Sequence, residues 1–93
     1  MLESTQAIPF NGAVSLYPNP VASQVRVDVG AKPLGIQCID NQGRNIRIPV
    51  SAISETADGV FRFQADVEFL SDGIYRFVIL TNQGVVTLPF VKN

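Results

Sequence analysis

Apolar and polar residues alternate along most of this chain with a period of two, and no segment sustains the stripe of a helix. In Gln24-Val25-Arg26-Val27-Asp28-Val29 the valines share one face and the polar side chains the other, which predicts a half-buried strand. Asn45-Ile46-Arg47-Ile48-Pro49-Val50 repeats the pattern with its apolar residues at even positions, and Val60 to Ala65 repeats it with Phe61, Phe63 and Ala65 inward. Gly73 to Thr81 is apolar on both faces except at Arg76, so it reads as a central strand with Tyr75, Phe77 and Ile79 as its more continuous face. Val85 to Val91 follows as its hairpin partner, where Pro89 offers no ladder donor and argues for an edge position or a strand end.

The turns support this order. The tripeptide Asn-Gln-Gly occurs twice, at Asn41 to Gly43 and at Asn82 to Gly84. A three-residue hairpin loop ends on a left-handed residue, a conformation that costs glycine nothing. Two hairpins are therefore expected, Ile36 to Asp40 with Arg44 to Val50, and Ile74 to Thr81 with Val85 to Val91. Asp58-Gly59 and Asp72-Gly73 mark further turns before apolar runs. With Val14 to Tyr17 as a first strand, the pattern predicts an all-β domain, an immunoglobulin-like antiparallel β-sandwich of about seven strands. Residues 1–12 carry no such pattern and read as a linker or lead-in to a single domain over residues 13–93, with Ile8, Pro9 and Phe10 as candidates to pack against it.

A chain of 93 residues has room for one core, and its 46% hydrophobic content can fill it. No apolar run approaches the roughly 20 residues that span a bilayer, and no basic, apolar leader opens the sequence, so no signal peptide is expected within it. Seven basic residues against eight acidic ones are scattered singly, which argues against a nucleic-acid footprint.

Candidate chemistry is sparse. There is no His to serve as a base, no phosphate-binding glycine loop and no metal-ligand spacing, so the chain does not read as an enzyme and no cofactor or small-molecule substrate is expected. Two carboxylates alone suffice for a glycosidase, but a sandwich this small offers no deep cleft for them. Cys38, the single cysteine, sits between Ile36 and Ile39 in a strand-like run and reads as a buried, inert thiol. Asp40, Asp58, Asp66 and Asp72 lack the spacing of a calcium loop, and those beside turns read as backbone caps. Arg26, Arg47, Arg62 and Arg76 alternate with inward residues and read as solvent-facing, the alternative being one basic stripe that meets an anionic surface.

Two short signatures remain, Leu16-Tyr17-Pro18-Asn19-Pro20 near the start and Phe90-Val91-Lys92-Asn93 at the end. Between them lie the amphipathic Gln24 to Val29, the turn set Asp40, Gly43 and Arg44, and the group Leu70, Gly73, Ile74 and Tyr75. In this order and spacing the chain from about Leu16 onward resembles the C-terminal sorting domain of the type IX secretion system of Bacteroidetes-type bacteria. It departs from the family pattern at Ile39, where many members carry an aromatic. A second departure is at Thr87, Leu88 and Pro89, where many carry a lysine; a translocon that reads charge there finds none in this chain.

The resemblance implies a non-catalytic signal that takes an N-terminally attached cargo from the periplasm through the outer-membrane type IX translocon to the cell surface or the medium. It also implies removal by a cell-surface sortase and proximity to lipopolysaccharide. The residues it marks for recognition are Tyr17, Pro18, Asn19, Pro20, Gly73, Tyr75, Phe90, Val91 and Lys92. Tyr17 to Pro20 read first as a rigid corner, since two prolines fix the backbone, a role compatible with recognition. Phe90 to Lys92 read equally as the end of an edge strand, with Lys92 discouraging unwanted pairing. An accessory module that binds carbohydrate or protein, and a plain spacer, are the alternative functions.

Overall fold

The computed structural model describes residues 14–93 and contains strands and turns without a helix. Eight strands run β1 (Val14–Tyr17), β2 (Gln24–Val29), β3 (Pro33–Asp40), β4 (Asn45–Ile46), β5 (Ser54–Glu55), β6 (Phe61–Asp66), β7 (Gly73–Thr81) and β8 (Gly84–Lys92). They form two antiparallel sheets of four, ordered β1-β2-β6-β5 and β4-β3-β7-β8, which face one another as a β-sandwich. The expected linker, with Ile8, Pro9 and Phe10, lies outside the described residues.

Alternation places the core. Val25, Val27 and Val29 are fully buried, as are Phe63 and Ala65 beside them on β6 and Phe77 and Ile79 on the facing sheet. Each such valine contributes on the order of 1.5 to 3 kcal/mol relative to an exposed one. Tyr75 stacks on Phe90 at 5.7 Å, Phe90 on Phe77 at 5.0 Å, and Phe77 meets Phe63 edge-on at 6.2 Å, so a chain of four rings joins the sheets. As expected, β7 lies inside its sheet between β3 and β8, and β8 is an edge strand that accommodates Pro89.

Three expectations are corrected. The strand count is eight, because Ser54 and Glu55 pair with Arg62 and Phe61 across the Asp58-Gly59 turn. This short, exposed strand is held by main-chain pairing and so leaves no hydrophobic signal. The strand expected over Asn45 to Val50 stops at Ile46: the chain then crosses to the other sheet, where Asp66 donates to the Pro49 carbonyl and Ser51 donates to the Gln64 carbonyl. Ile46 and Ile48 still pack against the core as read, whereas Val50, expected on the same face, is exposed where the chain has changed sheets.

The two Asn-Gln-Gly turns also differ. At the first, the Gly43 N–H donates to the Asp40 carbonyl and Gly43 takes φ 82°, the expected three-residue form. At the second, Gly84 pairs directly with Thr81, which shortens the loop to Asn82 and Gln83. The Thr81 hydroxyl donates to the Gly84 carbonyl at 2.7 Å and accepts from the Gln83 N–H, tying this tighter form.

Candidate recognition surface

The residues between β1 and β2 leave one sheet and touch the other. Pro18, Asn19 and Pro20 form an exposed bend in which the Tyr17-Pro18 and Asn19-Pro20 peptide bonds are cis. Beyond it Val21 buries its side chain completely and forms a parallel bridge with Lys92 at the end of β8. The Val21 N–H donates to the Val91 carbonyl at 2.7 Å, and its own carbonyl accepts from the Asn93 N–H at 2.9 Å. The Asn19 side-chain oxygen accepts from the Val91 N–H at 3.0 Å. Two signatures at opposite ends of the sequence thus close into one clasp.

The clasp divides the marked residues into two groups. Tyr75 and Phe90 lie in the ring chain, and the Tyr75 hydroxyl donates to the Ser71 carbonyl at 2.7 Å. Lys92 is 6% exposed, because its pairing with Gly73 puts it on the inward face beside Phe90. Its amine donates to the Asn93 carbonyl while the stem stays covered, as long basic side chains allow. The reading of Lys92 as an exposed guard against strand pairing is therefore corrected: its charge does not stand on the open edge.

Exposed are Tyr17, Pro18, Asn19, Pro20 and Val91, with Val91 40% accessible. Ile74, 59% accessible, lies opposite Val91 on the same outer face and widens the apolar patch beside the clasp. Neither Ile74 nor Val21 was marked for this role from the sequence. Alternation gives the face Ile74 occupies, but main-chain bonds such as those of Val21 leave no mark on residue type.

Tyr17 is held in place by its neighbours on the other outer face. The Arg26 guanidinium lies 4.6 Å over its ring, the Arg26 Nε donates to its hydroxyl, and that hydroxyl donates to Asp28 at 3.3 Å. Asp28 in turn accepts from Arg62 Nε at 2.8 Å and Nη2 at 3.2 Å. The Arg62 hydrogen bond, aided by the charges of Arg62 and Arg26, keeps the Asp28 carboxyl below its usual range against the opposing effect of burial. Arg26 and Arg62 therefore share one sheet with Asp28 between them, whereas Arg76 lies on the other sheet, so the four arginines do not make a single basic stripe.

The remaining polar candidates have structural partners. The Asp40 carboxylate accepts from the Gln42 and Arg44 N–H groups and from Arg44 Nε, as the turn-cap reading expects, and these bonds hold its carboxyl below the usual range. Asp66 accepts from the Glu68 N–H in the same way. Cys38 is 3% exposed, and burial, with Asp40 nearby, pushes its thiol up to about 11. Among the described residues no cluster of three or more His, Cys, Asp or Glu side chains is placed to hold a metal.

A family model described as a secretion system C-terminal sorting domain matches residues 15–93. No curated protein and no solved structure matches the chain. The matched span runs from the start of the clasp to its end and takes in the whole sandwich except Val14.

Proposed function

The chain belongs to the secretion system C-terminal sorting domain family and carries a type IX export signal, and on that premise we propose that its folded surface, not an active site, performs the sorting. The cargo attached before it crosses the periplasm with the domain folded behind it. The outer-membrane translocon then engages the exposed rim around the clasp, made by Pro18, Asn19 and Pro20 with Val91 and Ile74 on one outer face and Tyr17 on the other. Gly73, Tyr75, Phe90 and Lys92 act beneath this surface by fixing its shape. The observation that carries the proposal is the clasp itself, in which Asn19 and Val21 of the first signature bond Val91 and Asn93 of the second.

A cell-surface sortase removes the domain at a point before β1 and passes the cargo to lipopolysaccharide or the medium. A cut there leaves the β1–β2 ladder, which begins at Val14, intact. N-terminal sequencing of the released domain tests this: a terminus beyond Tyr17 refutes it.

The principal experiment fuses residues 1–93 to a periplasm-directed fluorescent protein in a bacterium with the type IX system and in a translocon-null strain. Export only in the first is expected. Equal retention in both, with the domain shown folded, overturns the proposal in favour of a binding or spacer module.

A further inference from the structure

No charged side chain occurs from Gly84 to Val91, and the outward edge of β8 is only partly covered. Val91 turns its N–H and C=O away from β7, toward Asn19 and Val21. Main-chain groups alternate in direction along an antiparallel strand, so Val85, Thr87 and Pro89 turn theirs outward as well. Among the described residues, no donor or acceptor outside the ladder reaches the main chain of these three. Natural edges are closed by charge, bulges or cover. Here the clasp closes the Val91 end, Pro89 removes one donor, and the N–H and C=O groups of Val85 and Thr87 are left open by the described residues.

This open window is self-complementary. When two β8 strands run antiparallel about a two-fold axis at Thr87, each Thr87 N–H meets the carbonyl of the partner's Thr87. Each Val85 N–H meets the carbonyl of the partner's Pro89. That makes four main-chain hydrogen bonds, and the missing proline N–H leaves only the Val85 carbonyl unmatched. On the outer face Val85 faces the partner's Pro89, and on the inner face Val86 faces the partner's Leu88, so no charge is buried. Val91 falls opposite the partner's Gln83, beyond the paired window, so the clasp need not open.

We propose that Val85–Pro89 pairs with the same edge of a second copy of this chain, joining two β4-β3-β7-β8 sheets into one antiparallel sheet of eight strands. The interface is isologous, and a strand window about 14 Å long covers less than the roughly 1,000 Å² of a stable complex. Pairing is therefore weak and tracks concentration. It does not depend on the sorting role.

Sedimentation equilibrium of residues 1–93 between about 10 µM and about 1 mM tests the proposal, together with amide exchange at both extremes. The average mass is expected to rise toward twice the monomer. The Val85 and Thr87 amides should gain protection as it does, while the Val91 amide is protected throughout. Thr87→Lys sets two like charges across the axis and should raise the midpoint concentration at least about tenfold. Thr87→Pro removes the two central donors and should abolish pairing. Both changes fall where the main chain makes no bond within the protomer, and a retained thermal transition checks that the fold survives. A protein that stays monomeric at the highest concentration overturns the proposal, as does association that Thr87→Lys leaves undiminished.

Discussion

Phe90 and Val91 are neighbours in the same signature, yet the structure gives them opposite roles, and a pair of substitutions separates these. Phe90 is buried with one ring stacked at 5.7 Å and another at 5.0 Å, whereas Val91 points outward and is 40% exposed. Phe90→Leu keeps an apolar side chain but removes both stacks, each worth about 0.5 to 1.5 kcal/mol beyond area burial. The expected loss is therefore about 1 to 3 kcal/mol. For a domain of this size that lowers the thermal midpoint by about 4 to 8 °C per kcal/mol. Complete truncation, Phe90→Ala, adds a cavity and should cost about 3 to 5 kcal/mol, a large share of a total stability of about 5 to 15 kcal/mol. Val91→Thr keeps the branched strand former on an exposed face and should change stability by less than about 0.5 kcal/mol. Export of the fluorescent fusion should nevertheless fall with Val91→Thr, because the substitution alters the surface and not the fold. Urea melts of the three variants, read with the export assay, check this. A Val91→Thr variant that melts as early as Phe90→Leu would refute the assignment of one residue to the interior and the other to the surface.

Asn19→Ala removes the side-chain acceptor of the Val91 N–H and should cost about 0.5 to 1.5 kcal/mol while speeding exchange of the Val91 amide; unchanged exchange there refutes the clasp. Asp28 and Asp40 both have folded-state carboxyls held below the ordinary range, so the stability they contribute is full above about pH 4, the unfolded value, and is lost as pH falls through the lower folded values. Urea midpoints should therefore hold between about pH 7 and pH 5 and drop below about pH 4, and the double variant Asp28→Asn, Asp40→Asn should flatten part of that drop. Cys38, with its thiol raised to about 11 and its side chain covered, should react with a thiol reagent at about pH 8 at least about 100-fold more slowly in the native state than in urea. Equal rates would mean that the β3–β4 edge opens freely.

Where a strand buries one whole face, the sequence is a sufficient guide. Val25, Val27 and Val29, and Tyr75, Phe77 and Ile79, alternate because each must reach the same core, and no neighbouring strand needs to be known to see it. The pattern does not name the partner, which is why Asn45 to Val50 presents Ile46 and Ile48 inward yet changes sheets at Pro49. Nor does it register β5, whose Ser54 and Glu55 are exposed and paired by main chain only. Identical turn tripeptides also mislead, because the preceding residue selects the loop. The Asp40 carboxylate reaches the N–H groups of Gln42 and Arg44 across a three-residue loop, whereas the shorter Thr81 hydroxyl closes on Gln83 and Gly84.

The candidate site was legible as two signatures but not as one object, and the reason bears on how the signal should be tested. Asn19 joins Val91 through one side-chain bond, but Val21 joins Val91 and Asn93 through main-chain groups that any residue carries. Deleting Phe90 to Asn93 therefore does more than remove terminal residues. It takes a ring from the core chain and leaves the Val21 N–H and carbonyl, beside a fully buried side chain, without partners. Each such group left unpaired costs about 1 to 3 kcal/mol where water cannot reach it. A fusion that fails to be exported after this deletion has lost the fold together with the signal, so its failure does not locate the recognised residues. Substitutions confined to the outer side of the clasp, Val91→Thr and Ile74→Thr, leave every one of these bonds in place. If export falls while the melting transition stays where it was, the translocon reads the surface; if export falls only when the transition moves, it requires the fold alone, and the patch around the clasp is not its contact.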